Sequence, residues 1–142
     1  MANFVKFSNF IENLGKKVFN LNTDTLKIAL TNTAPTAASD NQLSDITQVA
    51  NGNGYTTGGT AMAGVGYTES AGTGTLIGDA VTFTATGAMG PFRYAVLYSD
   101  TATNDELIAY VDYGSNLTLA DGDVFVVKPG GEDTGGTILT IA

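Results

Sequence analysis

The chain has no cysteine, no histidine and no tryptophan, and only 3 prolines in 142 residues. Without cysteine there is no disulfide framework, no thiolate nucleophile and no sulfur cage for zinc or an iron–sulfur cluster. Without histidine there is no Ser-His-Asp triad, no imidazole metal site and no ordinary proton carrier near neutral pH. Chemistry would fall to carboxylates, lysine, tyrosine or serine alone. Charge is also scarce, at 14% of residues against the usual quarter. No apolar run approaches the length of a membrane span. The first ten residues lack the basic start, apolar block and small-residue cleavage site of a signal peptide, so a soluble chain made in the cytoplasm is expected.

What is present suits a globular domain. Hydrophobic residues make up 43% and aromatics 9%, too much for a disordered chain. A chain of this mass is expected to leave about 6,900 Å² exposed, burying about two-thirds of its unfolded surface. That is enough for one hydrophobic core, so residues 1–142 read as a single β-rich domain with an N-terminal arm and helix at about 1–22. The net charge is −8, which disfavours nucleic acid and anionic membranes as partners. Residues 1–27 hold four lysines against Glu12 and Asp24, a local net of +2, whereas residues 28–142 hold Arg93 and Lys128 against twelve acids, a net of −10. The front is mildly basic and the body acidic.

Phe7, Phe10, Ile11, Leu14, Val18 and Leu21 recur at three- and four-residue steps and predict an amphipathic helix. Ser8 or Asn9 is its expected cap, with Glu12 completing a capping box after Asn9. Lys16 and Lys17 lie toward the C-terminal end, where the helix dipole favours cations. Beyond Thr25 the pattern turns to strands. Leu26, Ile28 and Leu30 alternate with Lys27 and Ala29, as in a half-buried strand. Residues 32–60 form a long, Gly-rich connection with one or two helical turns near Leu43, Ile46 and Val49. Val81, Phe83 and Ala85 face one way, while Phe92 to Tyr98 is apolar on both faces, as a central strand requires. Leu107 to Tyr113, Val124 to Val127 and Ile138 to Ile141 follow, separated by turns at Asp100 to Asp105, Asp121-Gly122 and Pro129 to Gly136. Short strands of this spacing predict a mainly β fold, an antiparallel β-sandwich or barrel with one N-terminal helix.

The candidate sites are few. Asp121-Gly122-Asp123 lacks the alternating acids of a calcium loop and reads as a hairpin turn. The glycines at 52, 54, 58 and 59 match no nucleotide fingerprint and read as permissive loop backbone. Asp112 is the one acid inside an apolar strand, yet a second carboxylate for glycoside chemistry is not evident. No catalytic, metal or cofactor site is therefore assigned. Arg93, flanked by Phe92 and Tyr94, suits an interface anchor or a partner for Asp112. Phe4, Val5 and Phe7 either tuck under the chain's own sheet or reach a neighbouring subunit. Tyr55 and Tyr67 are the loop aromatics that a sugar-binding module would use.

The segments Met1-Ala-Asn-Phe-Val-Lys-Phe7, Leu30-Thr-Asn-Thr-Ala-Pro35, Gly52-Asn-Gly-Tyr55, Gly90-Pro-Phe-Arg-Tyr-Ala-Val-Leu-Tyr98 and Tyr113-Gly-Ser-Asn-Leu-Thr-Leu-Ala-Asp-Gly122 span most of the chain. In these the sequence resembles a family of small tailed-bacteriophage virion proteins. The resemblance implies a non-enzymatic structural protein, most nearly a capsid decoration (cement) protein. Such a protein would sit on the virion after synthesis in the host bacterial cytoplasm, as a homo-oligomer, a trimer being expected, bound to the major capsid protein or other virion proteins. A tail, neck or fibre-attachment protein and a carbohydrate- or cell-surface-binding module are the alternatives. Phe4, Lys6, Lys16, Lys17 and Arg93 are the expected partner interface, with loops 32–60 and 99–106 as further contacts.

Overall fold

The stretch that is apolar on both faces becomes the middle strand of a five-stranded sheet. A computed structural model describes residues 3–142; Met1 and Ala2 of the expected arm lie outside the described residues. In chain order the elements are β1 (Val5–Lys6), α1 (Ser8–Gly15), β2 (Leu26–Thr31), β3 (Thr60–Ala61), β4 (Gly66–Ser70) and β5 (Thr73–Gly78). They continue with β6 (Val81–Thr84), β7 (Met89–Ser99), β8 (Leu107–Leu119), β9 (Val124–Val127) and β10 (Gly136–Ile141). Every pairing is antiparallel. The large sheet runs β1-β8-β7-β2-β3; a three-stranded sheet runs β10-β5-β4, and β6 pairs with β9. The sheets are not closed into a barrel, and the arrangement is sandwich-like.

One core joins the layers. Leu26, Ile28 and Leu30 of β2 and Ala95 and Leu97 of β7 meet Leu76, Phe83, Phe125, Val127 and Ile138 from the smaller sheets. The whole chain exposes 6799 Å², close to what its mass predicts. A second, smaller cluster lies on the opposite face of the large sheet, where Phe7, Ala29, Val96, Tyr98 and Leu107 are covered by Ile46 and Leu43 from the 32–60 connection. This cover corrects the expectation of a half-buried β2. Ala29 and Thr31 are as fully buried as Ile28 and Leu30 on the other face, because the connection folds back over them.

The connection is tied down throughout. A 3-10 turn at Leu43–Asp45 carries a capping box between Gln42 and Asp45, and isolated bridges pair Thr31 with Gln48 and Gln42 with Glu106. Gly52 and Tyr55 exchange backbone bonds at 2.7 and 3.0 Å around Asn53 and Gly54. Both turn residues have positive φ, 55° and 99°, which is the tight hairpin turn that Asn-Gly favours. Asn53 also donates its Nδ2 to the Ala88 carbonyl at 2.9 Å and accepts Thr86 N–H on its own carbonyl at 3.0 Å. Gly59 passes so close to the Ile28 carbonyl that no side chain would fit there.

The helix differs from expectation at both ends. It starts after Phe7, not at a Ser8 or Asn9 cap, and no side chain caps it. The reason is upstream: β1 holds Val5 and Lys6 extended, and Phe7 is buried at 1% exposure. The Ser8 N–H is instead satisfied by the Ala37 carbonyl at 2.9 Å. At the other end Lys17 takes φ 64°, with Val18 N–H on Asn13 O and Lys17 N–H on Leu14 O. That paired closure is a Schellman motif with lysine in the position glycine usually holds. The apolar spacing beyond it continues without helix: Phe19 and Leu21 are buried from a loop, and Phe10 and Phe19 rings stand 5.5 Å apart. Ile11, assigned to the apolar face by spacing, is 44% exposed.

Candidate functional site

Strand register places the side chains on the loop-covered face of the large sheet. Val5, Tyr110, Val96 and Ala29 are successive cross-strand partners in one row from β1 to β2. Asp112, Tyr94 and Thr31 form the next row. The 32–60 connection covers the β2 end of these rows and leaves the β8 and β1 end half-open, with Val5 46% exposed. A strip of aromatic and charged groups results. The Phe7 and Tyr110 rings lie 5.3 Å apart, Tyr94 and Tyr110 6.4 Å apart, and the Arg93 guanidinium sits 5.5 Å from the centre of the Tyr94 ring.

Arg93 and Asp112 form a two-pronged ion pair, Nε to Oδ1 at 2.8 Å and Nη2 to Oδ2 at 3.1 Å. Both belong to long strands whose pairing shifts register between Phe92 and Tyr94, and that shift brings Arg93 round to its partner. Asp112 Oδ1 also accepts the Gly114 N–H at 2.8 Å. These bonds hold the Asp112 carboxyl below the usual carboxylate range, the Arg93 side-chain bond contributing most, and they raise the Arg93 guanidinium in turn. Asp112 is thus a fixed anion rather than a proton donor. Planar, two-point recognition of this kind needs arginine specifically.

The expected interface residues separate. Arg93 joins the strip. Phe4 is half-buried against the main core and walls a groove with Lys128 and β10. Lys6 lies exposed on β1 opposite Ala109. Lys16 reaches Glu12 at 3.3 Å on the exposed helix surface, while Lys17 is exposed in the turn that closes the helix. Among the described residues, Lys6 and Lys17 have no carboxylate within ion-pair distance, whereas Lys27, Arg93 and Lys128 pair with Asp100, Asp112 and Asp133. Phe7 is buried against the chain's own sheet, whereas Val5 pairs into that sheet beside Tyr110 and stays exposed. Sequence reasoning named Tyr94 only as a neighbour of Arg93 and did not single out Tyr110; alternation in the two strands was the available signal, but only the register shows that the two tyrosines meet.

Tyr55 is not a sugar platform. It is 2% exposed, donates its hydroxyl to Gln48 Oε1 at 2.6 Å and accepts Leu30 N–H at 3.2 Å. Burial pushes its pKa up to about 12, against a smaller lowering by the Leu30 amide. Tyr67 is half-buried against the core, its ring lying over Gly74. Tyr98 donates its hydroxyl to the Gly58 carbonyl; burial first, then the charges of Asp100 and Asp105, drives its pKa higher still. Asp105 is itself raised, by burial and then by Asp100, with Lys27 opposing. The Asp121-Gly122-Asp123 segment closes on itself, Asp123 Oδ2 accepting Ala120 N–H at 2.9 Å. Among the described residues no three His, Cys, Asp or Glu side chains are grouped to hold a metal ion. Compared with known protein families, curated proteins and solved structures, the chain matches none. Among the described residues no helix is long and apolar enough to cross a membrane.

Proposed function

We propose that this chain is a non-enzymatic structural protein of a tailed-phage virion, a capsid decoration protein that binds the outer shell and works by added contact area. The observation that carries the reading is the half-open strip of Val5, Tyr110, Tyr94 and Arg93. Two of its groups are aromatic, one is aliphatic and its one charge is already paired with Asp112, which is the composition of adhesive surfaces rather than reactive ones. A guanidinium locked by two bonds loses little side-chain entropy on docking. The resemblance seen in the sequence supports the choice of partner, and Lys6 and Lys17, which have no carboxylate at ion-pair distance among the described residues, supply a mildly basic approach to an acidic neighbour. Copies bridging adjacent shell subunits would raise the free energy needed to separate them.

Copy number per virion, measured by quantitative mass spectrometry, tests this directly. Hundreds of copies are expected; a handful would move the protein to the tail or neck, and none would end the virion reading. On such particles Arg93→Ala is expected to lower occupancy more than the joint reversal Lys6→Glu/Lys16→Glu/Lys17→Glu, because central aromatic–arginine contacts outweigh rim charges.

A further inference from the structure

The pairing of β7 with β8 jumps widely at one place. Tyr94 pairs with Asp112, but Phe92 pairs with Leu117. Arg93 alone therefore stands opposite four residues, Tyr113-Gly-Ser-Asn116, which bulge from β8 as a short excursion. All four are exposed. Gly114 bends the excursion at φ 96°. Its chain neighbours aside, nothing lies within 4 Å of where a Gly114 side chain would stand, so the backbone there is open to close approach. The base of the excursion is pinned, Gly114 N–H being held by Asp112 Oδ1 at 2.8 Å and Asp112 in turn by Arg93. Tyr113 is braced as well. Its ring meets Phe125 at 5.2 Å and 65°, and Phe125 meets the buried Phe92 at 4.8 Å and 64°. An edge-to-face contact takes at most one face of a ring, and Tyr113 remains 51% exposed.

We propose that Tyr113, Ser115 and Asn116 form a binding site for a neutral sugar, a hexose unit of a polysaccharide. A sugar ring presents an apolar C–H face and hydroxyls that both donate and accept. The braced Tyr113 ring suits the first. The Ser115 hydroxyl and the Asn116 amide, each a donor and an acceptor, suit the second. Charge selects a neutral ligand: residues 113–120 carry none, and a chain of net charge −8 repels anionic polymers. Size selects a small one. A stable protein interface takes roughly 20–30 residues a side, whereas the excursion offers four. Tyrosine, glycine, serine and asparagine are also the residues that antigen-binding loops favour, a stiff aromatic anchor among adaptable polar neighbours. The site stands apart from the strip proposed to meet the shell. Asp112 lies in the strip's row, whereas Tyr113, the next residue, packs on Phe125 of the main core. The two surfaces lie on opposite faces of the large sheet, so one chain can hold a shell and a glycan together.

Titration of the full chain, followed by backbone amide NMR shifts, is the test. The probes are the methyl glycosides of glucose, galactose, mannose and N-acetylglucosamine. At least one is expected to bind with a millimolar Kd, moving the amides of Gly114, Ser115 and Asn116 while those of β2 stay in place. Tyr113→Ala is expected to weaken that binding about tenfold, and Tyr113→Phe, which keeps the ring, to retain it. Asn116→Ala, at an exposed residue, is expected to weaken it about fivefold, and it keeps the test open if Tyr113→Ala fails to fold. Near-ultraviolet circular dichroism confirms the fold of each variant. No shift of the excursion amides with any probe up to about 100 mM, shifts confined to another part of the chain, or full binding by a folded Tyr113→Ala would each overturn the proposal. So would tighter binding of glucuronate than of the neutral glycosides. Virion occupancy lost in Tyr113→Ala with no glycoside bound would make the excursion a protein contact and overturn it too. Glycoside binding is read on the free chain and copy number on virions, so failure of one reading is distinguishable from failure of the other.

Discussion

The two faces of the large sheet are buried by different means. On one face, side chains from the smaller sheets interlock with Ile28, Leu30 and Leu97, an almost wholly apolar contact. On the other, the cover is the 32–60 connection, whose backbone brings amides and carbonyls that must find partners when water is removed. The chain meets that demand with side-chain oxygens. Gln48 Oε1 accepts both the Tyr55 hydroxyl and the Gly58 N–H, Tyr98 donates to Gly58 O, and Thr31 donates to Thr47 O. A strand can cover an apolar face with apolar groups, since its own polar backbone is already paired. A loop needs polar anchors planted in the sheet beneath it.

That contrast can be broken from either side. The largest effect belongs to the sheet-covered face: Leu97→Ala, at a fully buried site, is expected to lose about 2–5 kcal/mol in chemical denaturation. On the loop side, Tyr98→Phe keeps the ring and removes one hydroxyl, so about 1 kcal/mol is expected. Its sharper signature is local: amide exchange at Gly58 and its neighbours should accelerate while the exchange of β7 core amides does not. A uniform rise across both faces would show that the loop is no separate layer.

Titration sharpens the comparison further. Tyr55 ionises at about 12 when folded against an ordinary 10.0. A group raised on folding stabilises the native state below its unfolded value and stops doing so as pH climbs through its folded one. Stability is therefore expected to decline between pH 10 and 12, and Tyr55→Phe should flatten that decline. At the acid end the signs oppose. Asp112 is lowered by Arg93, so its contribution holds above the ordinary carboxylate value and fades as pH falls through the depressed one. Asp105 is raised and runs the other way. The Arg93–Asp112 pair is half-exposed, so Asp112→Asn is expected to give the smallest change, a slight shallowing of acid unfolding.

The β pattern was legible wherever one residue type repeated on a face. Phe83 and Ala85 inward against Thr82 and Thr84 outward, and the two-sided run at 92–98, needed only period-two alternation. The β4–β5 hairpin was not legible, because its turn is Ala71-Gly72, with Ala71 at φ 51°, a conformation that alanine rarely adopts. The end of α1 was hidden for the same reason, Lys17 standing where glycine is usual. Of the candidate site, the Arg93–Asp112 pair was foreseeable from scarcity, since Arg93 is one of two cations after Lys27. That Tyr110 joins Arg93 and Tyr94 was not, because the pairing of β7 with β8 decides it and no local sequence announces a register.

The Asn53 clamp has a chemical lifetime. Its amide nitrogen holds the Ala88 carbonyl, and the residue that follows is glycine, the neighbour that least hinders attack of the next backbone nitrogen on the side-chain carbonyl. Hydrolysis to the acid would replace a donor with an anion facing that carbonyl, and the strap between the two loops would part. Ageing of this molecule would then begin at a hairpin tip, well before any change reached its core.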